Sequence, residues 1–266
     1  MSLTSIEHYA IDPKSISIPN KGLGAFLCGF TEEKKPFNWA NIWFNLIFGV
    51  GQILFIGHVI RHCWVKSHPD RVLLYQNGFI KQSLDNKGKV KQESINNYYD
   101  LKGVLYAKTR QYQSIYGIKT YNCTTVNLSV LDKNNIKSKI LWGSYRNKDE
   151  IEGKYNFIGY ACNAIRDSWL KFALNKFNDE LRSRGYGSFT SPTGEITVGR
   201  DFIGVNNTIV SSGFRYSFDN GYLYLYPNAA ESAHFAQKCK PVAINIAGMY
   251  NKEVFLLAIG QLHGIK

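Results

Sequence analysis

The first clear feature in the hydropathy pattern is one apolar stretch near the start of the chain. Residues 42–60 contain no Asp, Glu, Lys or Arg. A helix of that length rises about 28 Å at about 1.5 Å per residue, close to the thickness of a bilayer's hydrocarbon core. Trp39, Trp43 and Trp64 flank the stretch, as aromatic residues do at membrane interfaces. We therefore predict a transmembrane helix within residues 39–64, with Ile42 and Ile60 bounding its apolar part.

Two other interpretations of this stretch stay open. Gly49 and Gly51 favour a hairpin that bends there and re-enters the membrane or lies in its interface. Asn45, Gln52 and His58 favour a buried core helix, because polar side chains are costly in lipid.

Positive charge gives the predicted helix an orientation. Arg61, Lys66 and Arg71 follow the stretch, whereas Lys34 and Lys35 precede it beside two glutamates. Basic residues concentrate on the cytoplasmic side of membrane helices. The pattern predicts a single-pass membrane protein whose C-terminal domains face the cytoplasm.

After residue 66 the pattern changes to alternation. Short alternating runs between turn residues predict about six antiparallel strands within residues 71–142, starting with a hairpin at Asn77 and Gly78. Residues 149–184 have helical spacing and end before Gly185, a predicted C-terminal cap. Strands are predicted again from residue 187, and Asn251 is predicted to cap a last helix.

The two β-rich parts look like distant copies, because each is a series of strands followed by a helix. We predict a mainly β fold with α-helices (α+β), in which two pleckstrin-homology-like barrels or curved sheets are each closed by a helix. The predicted division is a head (1–38), the membrane helix (39–64), a first domain (66–184) and a second domain (185–266).

Four short motifs resemble a family of uncharacterised, mostly bacterial proteins that is grouped as a domain of unknown function. They are Leu-Gly-Ala-Phe at 23–26, Leu-Tyr-Gln-Asn-Gly-Phe-Ile at 74–80, Tyr-Tyr-Asp-Leu at 98–101 and Met-Tyr-Asn at 249–251. The resemblance implies a membrane segment followed by two pleckstrin-homology-like halves. It implies no activity.

Charge and cysteine usage narrow the classes of function. The net charge is +12, and residues 66–155 hold 16 basic against 8 acidic residues. Five widely spaced cysteines argue against a disulfide framework and fit a reducing compartment. The candidate anion-binding residues of the first domain are Lys81, Lys87, Lys89, Lys91, Lys102, Lys108, Arg110 and Lys119. Among them Lys87, Lys89 and Lys91 would share a face if they lay on one strand. An ordinary solvated basic surface is the alternative interpretation.

The sequence contains no GxSxG, HExxH, Walker-type or dinucleotide-binding motif, and we predict no catalytic residue, metal or cofactor. The predicted function is a membrane-anchored, non-enzymatic binding or scaffold protein that contacts the membrane and either anionic lipid headgroups or a protein partner. Two alternatives are a membrane-tethered nucleic-acid binder and a toxin- or immunity-type membrane protein. Nucleic acid is the less favoured partner, because the basic-aromatic motifs of RNA-binding sheets are missing.

Overall fold

The computed structural model describes residues 11–12, 19, 21–32, 70–85, 87–145, 157–206, 208–211, 213–227 and 240–265. The predicted membrane helix, with Trp39, Ile42, Trp43, Ile60 and Trp64, lies outside these residues. No helix within the described ranges is both long and apolar enough to cross a membrane. The prediction of a single-pass membrane protein is corrected accordingly, since the helices that are seen do not support it.

Strands dominate the fold and make up 54% of the described residues. They form four separate antiparallel sheets in the described parts of the chain, where two α-helices are found. The prediction of two pleckstrin-homology-like barrels closed by helices is therefore wrong. A barrel requires its first and last strands to pair, whereas each sheet here joins strands that are neighbours in sequence and keeps two edges.

The first sheet has the order β1-β2-β3-β4 and draws its first strand from the head. Its strands are β1 (Phe26–Thr31), β2 (Asp70–Tyr75), β3 (Gly78–Leu84) and β4 (Val90–Asn97). β1 pairs with β2, for example Phe30 opposite Val72. Leu23 of the head is buried with Leu73, Tyr75 and Ile80. The described head residues 26–31 thus form a strand of this sheet.

The β2–β3 hairpin confirms the predicted pair of strands but not the predicted turn. Tyr75 pairs with Gly78, so Gln76 and Asn77 are the two turn residues. Neither Asn77 nor Gly78 has a positive φ. A Cβ on Gly78 would lie 2.3 Å from the Asn96 carbonyl oxygen. Glycine is needed here for close strand approach, not for a left-handed turn.

The second sheet contains a hairpin longer than the pattern predicts. It has the order β5-β6-β7, with β5 (Leu101–Ile115), β6 (Ile118–Asp132) and β7 (Lys137–Tyr145). The sequence predicts a break after residue 108, yet β5 continues to Ile115 and turns at Tyr116 and Gly117. Helix α1 (Phe157–Arg184) follows. Gly185 has φ 81°, and its N–H donates to the Leu181 carbonyl, which confirms the predicted helix end.

The C-terminal part also has a four-stranded sheet, a three-stranded sheet and then a helix, with shorter strands. Seven strands make two further sheets: β8 (Tyr186–Ser191), β9 (Gly194–Gly199), β10 (Phe202–Val205), β11 (Thr208–Ser211), β12 (Arg215–Asp219), β13 (Tyr222–Tyr226) and β14 (Val242–Asn245). Their orders are β11-β10-β9-β8 and β12-β13-β14. Helix α2 (Lys252–His263) ends the series.

The chain divides into two compact units, each made from several stretches. Unit 1 comprises residues 1–97, 111–124 and 144–165, and unit 2 comprises residues 98–110, 125–143 and 166–266. In unit 2, Trp169 and Tyr98 pack edge to face at 5.2 Å, and Phe189 packs on Phe255 at 5.4 Å. Such aromatic pairs contribute about 0.5–1.5 kcal/mol beyond their buried area.

The Asn251 side chain makes three hydrogen bonds within unit 2. Asn251 precedes α2 as predicted, but its side chain makes no capping hydrogen bond. Its Oδ1 accepts from the Val104 N–H at 3.0 Å and from Trp169 Nε1 at 2.8 Å. Its Nδ2 donates to the Lys102 carbonyl at 3.0 Å. The amide therefore takes the place of a strand partner at the edge of β5.

Candidate functional site

The structure separates the eight candidate anion-binding residues into different environments. Lys81 on β3 forms an ion pair with Asp70 at 3.2 Å, and both side chains are half-buried. Its charge is thus already neutralised by a neighbour. Lys81 is better described as part of the β2–β3 pairing than as an open anion site.

Lys87, Lys89 and Lys91 are exposed but do not form one strand face. Lys87 and Lys89 lie in the turn before β4, where their backbone N–H groups both donate to Asp85 Oδ1 at 2.8 Å. Ser83 pairs with Gln92 and Leu84 with Val90, so Lys91 is the extra residue of a β-bulge. Side chains do not alternate regularly between two faces through a turn and a bulge. The predicted common face of Lys87, Lys89 and Lys91 is therefore not formed in that way.

The β5–β6 hairpin, up to residue 131, carries charged residues of one sign only. Residues 101–131, here named the basic hairpin, contain four basic residues and no acidic residue. Lys108, Arg110 and Lys119 are exposed in its distal part. Alternate residues of a strand share a face, so Lys108 and Arg110 of β5 point the same way. Sequence reasoning identified these basic residues but not the hairpin that carries them.

The end of the basic hairpin exposes large aromatic and aliphatic side chains. Tyr116 is 100% exposed, Ile118 is 70% exposed and Tyr112 is 50% exposed. Tyr112 contacts Tyr121 edge to face across the hairpin at 6.0 Å. Tyr121 hydroxyl lies 2.7 Å from Thr124 Oγ1. The aromatic contact therefore orders the strands, while Tyr116 and Ile118 stay outside it.

Tyr116 occupies a position that its side chain does not favour. Its φ is 51°, and that of Gly117 is 80°. Positive φ at both central residues defines the two-residue turn that favours Asn-Gly, and a bulky residue rarely adopts it. Strained residues of this kind are concentrated at functional sites. Tyr116 thus combines a strained backbone with a fully exposed side chain.

We expect Tyr116→Asn to raise the free energy of unfolding by up to about 1 kcal/mol, because asparagine tolerates the left-handed conformation and no ring packing is lost. Urea denaturation of the full chain measures this. A variant that is destabilised by more than about 0.5 kcal/mol would show that Tyr116 stabilises the fold, contrary to this interpretation.

Lys102 lies away from the hairpin end. Its Nζ donates to Asn135 Oδ1 at 2.7 Å. It lines a cleft in unit 2 together with Lys176, which sequence analysis did not identify as a site residue. Lys176 lies on α1, far from Lys102 in sequence, so only the fold brings the two together.

Among the titratable groups in the described part of the chain, Cys162 and His263 have pKa values shifted by burial. Burial raises the pKa of the Cys162 thiol to about 12, which keeps it protonated. Burial lowers the pKa of His263, whose Nε2 lies 3.0 Å from the Gly199 carbonyl oxygen. Among the residues described, no cluster of three or more His, Cys, Asp or Glu side chains could hold a metal ion.

Comparisons with known proteins add no name to this geometry. No family model, no curated protein and no solved structure matches the chain. The resemblance to the family of unknown function stays a prediction. The proposed function therefore rests on the surface residues that the structure describes.

Proposed function

We propose that this chain is a non-enzymatic binding protein that contacts anionic lipid headgroups through the end of its basic hairpin. The observation that carries the proposal is Tyr116, which is strained at φ 51° and fully exposed at the turn. Nothing in the local sequence requires a tyrosine there, and a turn residue such as asparagine costs less.

The order of residues along the hairpin fits the layers of a bilayer surface. Tyr116 lies in the turn and Ile118 directly follows it as the first residue of β6, and the basic residues lie further back. At about 3.3 Å per residue, Lys119 is about 10 Å from the turn along β6. Tyrosine and aliphatic side chains favour the interface, and basic residues favour the anionic headgroups outside it. An acidic protein surface would attract the same charges, but it does not require this order.

The charge contribution can be tested with vesicles of phosphatidylcholine alone and of phosphatidylcholine with phosphatidylglycerol. Each basic residue near an anionic surface contributes about 1 kcal/mol. Reversing Lys108, Arg110 and Lys119 to Glu is therefore expected to weaken binding to the anionic vesicles by about 100-fold or more. Co-sedimentation at rising vesicle concentration measures the change.

A matched control reverses three exposed basic residues elsewhere, Lys171, Arg182 and Arg200, and so changes the net charge equally. This control is expected to bind with little change. Equal loss in both triple variants would show that net charge rather than the hairpin attracts the vesicles. Unchanged binding of the hairpin variant, or no preference for anionic vesicles in the unmodified chain, would also contradict the proposal.

A further inference from the structure

Unit 2 contains a cleft that the hairpin function does not use. Its volume is ≈ 360 Å³, at the lower end of the range of about 300–1,000 Å³ for small-molecule sites. Helix α1 contributes Lys176 and Glu180, the edge strand β8 contributes Ser188 and Thr190, and β5 contributes Lys102. All of these residues belong to unit 2.

Two lysines bring positive charge to the cleft, which the acidic residues Glu180 and Glu195 also line. Lys102 donates to the neutral Asn135 amide at 2.7 Å. Within the described part of the chain, neither Lys102 nor Lys176 forms an ion pair. Glu180 is engaged instead by Arg184 at 3.2 Å and by the Ser188 N–H at 3.4 Å. The cleft thus has two ammonium groups available for an anionic ligand.

The edge of β8 offers a donor and an acceptor of the backbone beside these lysines. Ser191 and Gly194 close the β8–β9 hairpin around a two-residue turn, and Thr190 lies opposite Glu195. Antiparallel pairs alternate between bonded and non-bonded, so Ser188 and Thr190 direct their backbone groups away from β9. Tyr250 N–H donates to the Thr190 carbonyl at 3.0 Å, consistent with that direction.

The Ser188 carbonyl and the Thr190 N–H remain at this edge, one residue apart on either side of Phe189. Among the described residues, neither group has a hydrogen-bond partner on this side, which faces away from β9. If another chain added to this edge in a parallel orientation, one of its residues would donate its N–H to the Ser188 carbonyl. The C=O of the same residue would accept from the Thr190 N–H. The spacing therefore matches the N–H and C=O of a single amino-acid unit.

We propose that this cleft binds a small zwitterion of the α-amino-acid type. The ligand's ammonium donates to the Ser188 carbonyl near the Glu180 carboxylate. Its carboxylate accepts from the Thr190 N–H and from Lys102 and Lys176. Capture of free amino and carboxyl groups by backbone groups is a recurrent mode of recognition. Glu195 also lines the cleft, and its carboxylate favours a ligand with a basic side chain, as in lysine.

The full chain is titrated with three probes at millimolar concentration: L-lysine, L-lysinamide and Nα-acetyl-L-lysine. L-lysinamide lacks the carboxylate, and Nα-acetyl-L-lysine lacks the α-ammonium. Calorimetry or amide chemical shifts report binding. L-lysine is expected to bind, and each analogue is expected to bind about tenfold more weakly or worse, since each loses charge-assisted hydrogen bonds. These comparisons use the unmodified chain, so they do not depend on the folding of a variant.

Two variants assign the interaction to the cleft. Lys176→Ala is expected to weaken L-lysine binding about tenfold or more. The same substitution is expected to leave L-lysinamide binding unchanged, because L-lysinamide lacks the carboxylate that Lys176 would contact. Lys171→Ala, on the same helix and outside the cleft lining, is the matched control and is expected to leave binding unchanged. The proposal is overturned if L-lysine does not bind, if L-lysinamide binds equally, or if acetate competes as well as L-lysine, which would make the cleft a simple anion site.

Discussion

Replacing Asn251 with alanine is expected to destabilise the protein by about 3–4 kcal/mol, one of the two largest effects of a single substitution that we predict. The Val104 N–H and Trp169 Nε1 both lose their acceptor, Asn251 Oδ1. A buried donor left without an acceptor costs about 1–3 kcal/mol. Alanine must also adopt φ 59°, which costs about 1 kcal/mol more than asparagine or glycine there. Urea denaturation of the full chain measures the loss.

Two further substitutions at Asn251 separate hydrogen bonding from backbone strain. Asn251→Asp retains an acceptor oxygen but loses the donor to the Lys102 carbonyl, and is expected to be the mildest change. Asn251→Gly relieves the left-handed conformation but loses every side-chain bond, and is expected to lie between the Asp and Ala variants. If Asn251→Gly is as stable as the unmodified chain, the hydrogen bonds do not stabilise unit 2.

The second large effect is expected at Gly78, where alanine should destabilise the first sheet by about 3 kcal/mol or more. The added Cβ would lie 2.3 Å from the Asn96 carbonyl oxygen and 3.0 Å from Leu23 Cδ2. The first neighbour is backbone and cannot rotate away, so β3 and β4 must separate. The midpoint of urea denaturation, with protection of β3 and β4 amides from exchange, reports both the loss and its place.

Gly29 is the matched control for Gly78, since both lie in strands of the first sheet. A Cβ on Gly29 would approach only side-chain ends, Ile11 Cδ1 and Leu73 Cδ2, each at 3.0 Å. Side-chain rotation can relieve such contacts, so Gly29→Ala is expected to cost about 1 kcal/mol or less. Equal destabilisation by the two variants would mean that loss of glycine as such, rather than the backbone clash, is responsible.

Local features of the fold were predictable where one short segment decides them. The alternation after residue 70 predicts β2 and β3, and the glycine after residue 184 predicts the end of α1, because strand pattern and helix capping depend on nearby residues. The turn at Asn77 was predicted incorrectly. Asn-Gly favours positive φ, but close packing against Asn96 uses Gly78 as a strand residue instead.

The candidate sites were predicted only in part. The basic residues of the hairpin are visible in the sequence, because charge needs no fold to be counted. The polar stretch 109–115 has no strand pattern, and it becomes part of β5 through pairing with β6. Lys91 was placed on a regular face because a bulge has no clear signal in the sequence.

The order of most strands, the end of α1 and the region rich in basic residues can be predicted from residues that are close along the chain. Three other features could not be predicted in this way: the strands form four open sheets, Asn251 binds the edge of β5, and Lys102 and Lys176 line one cleft. These features depend on pairing and packing between distant residues, and local propensity does not specify which distant residues will meet.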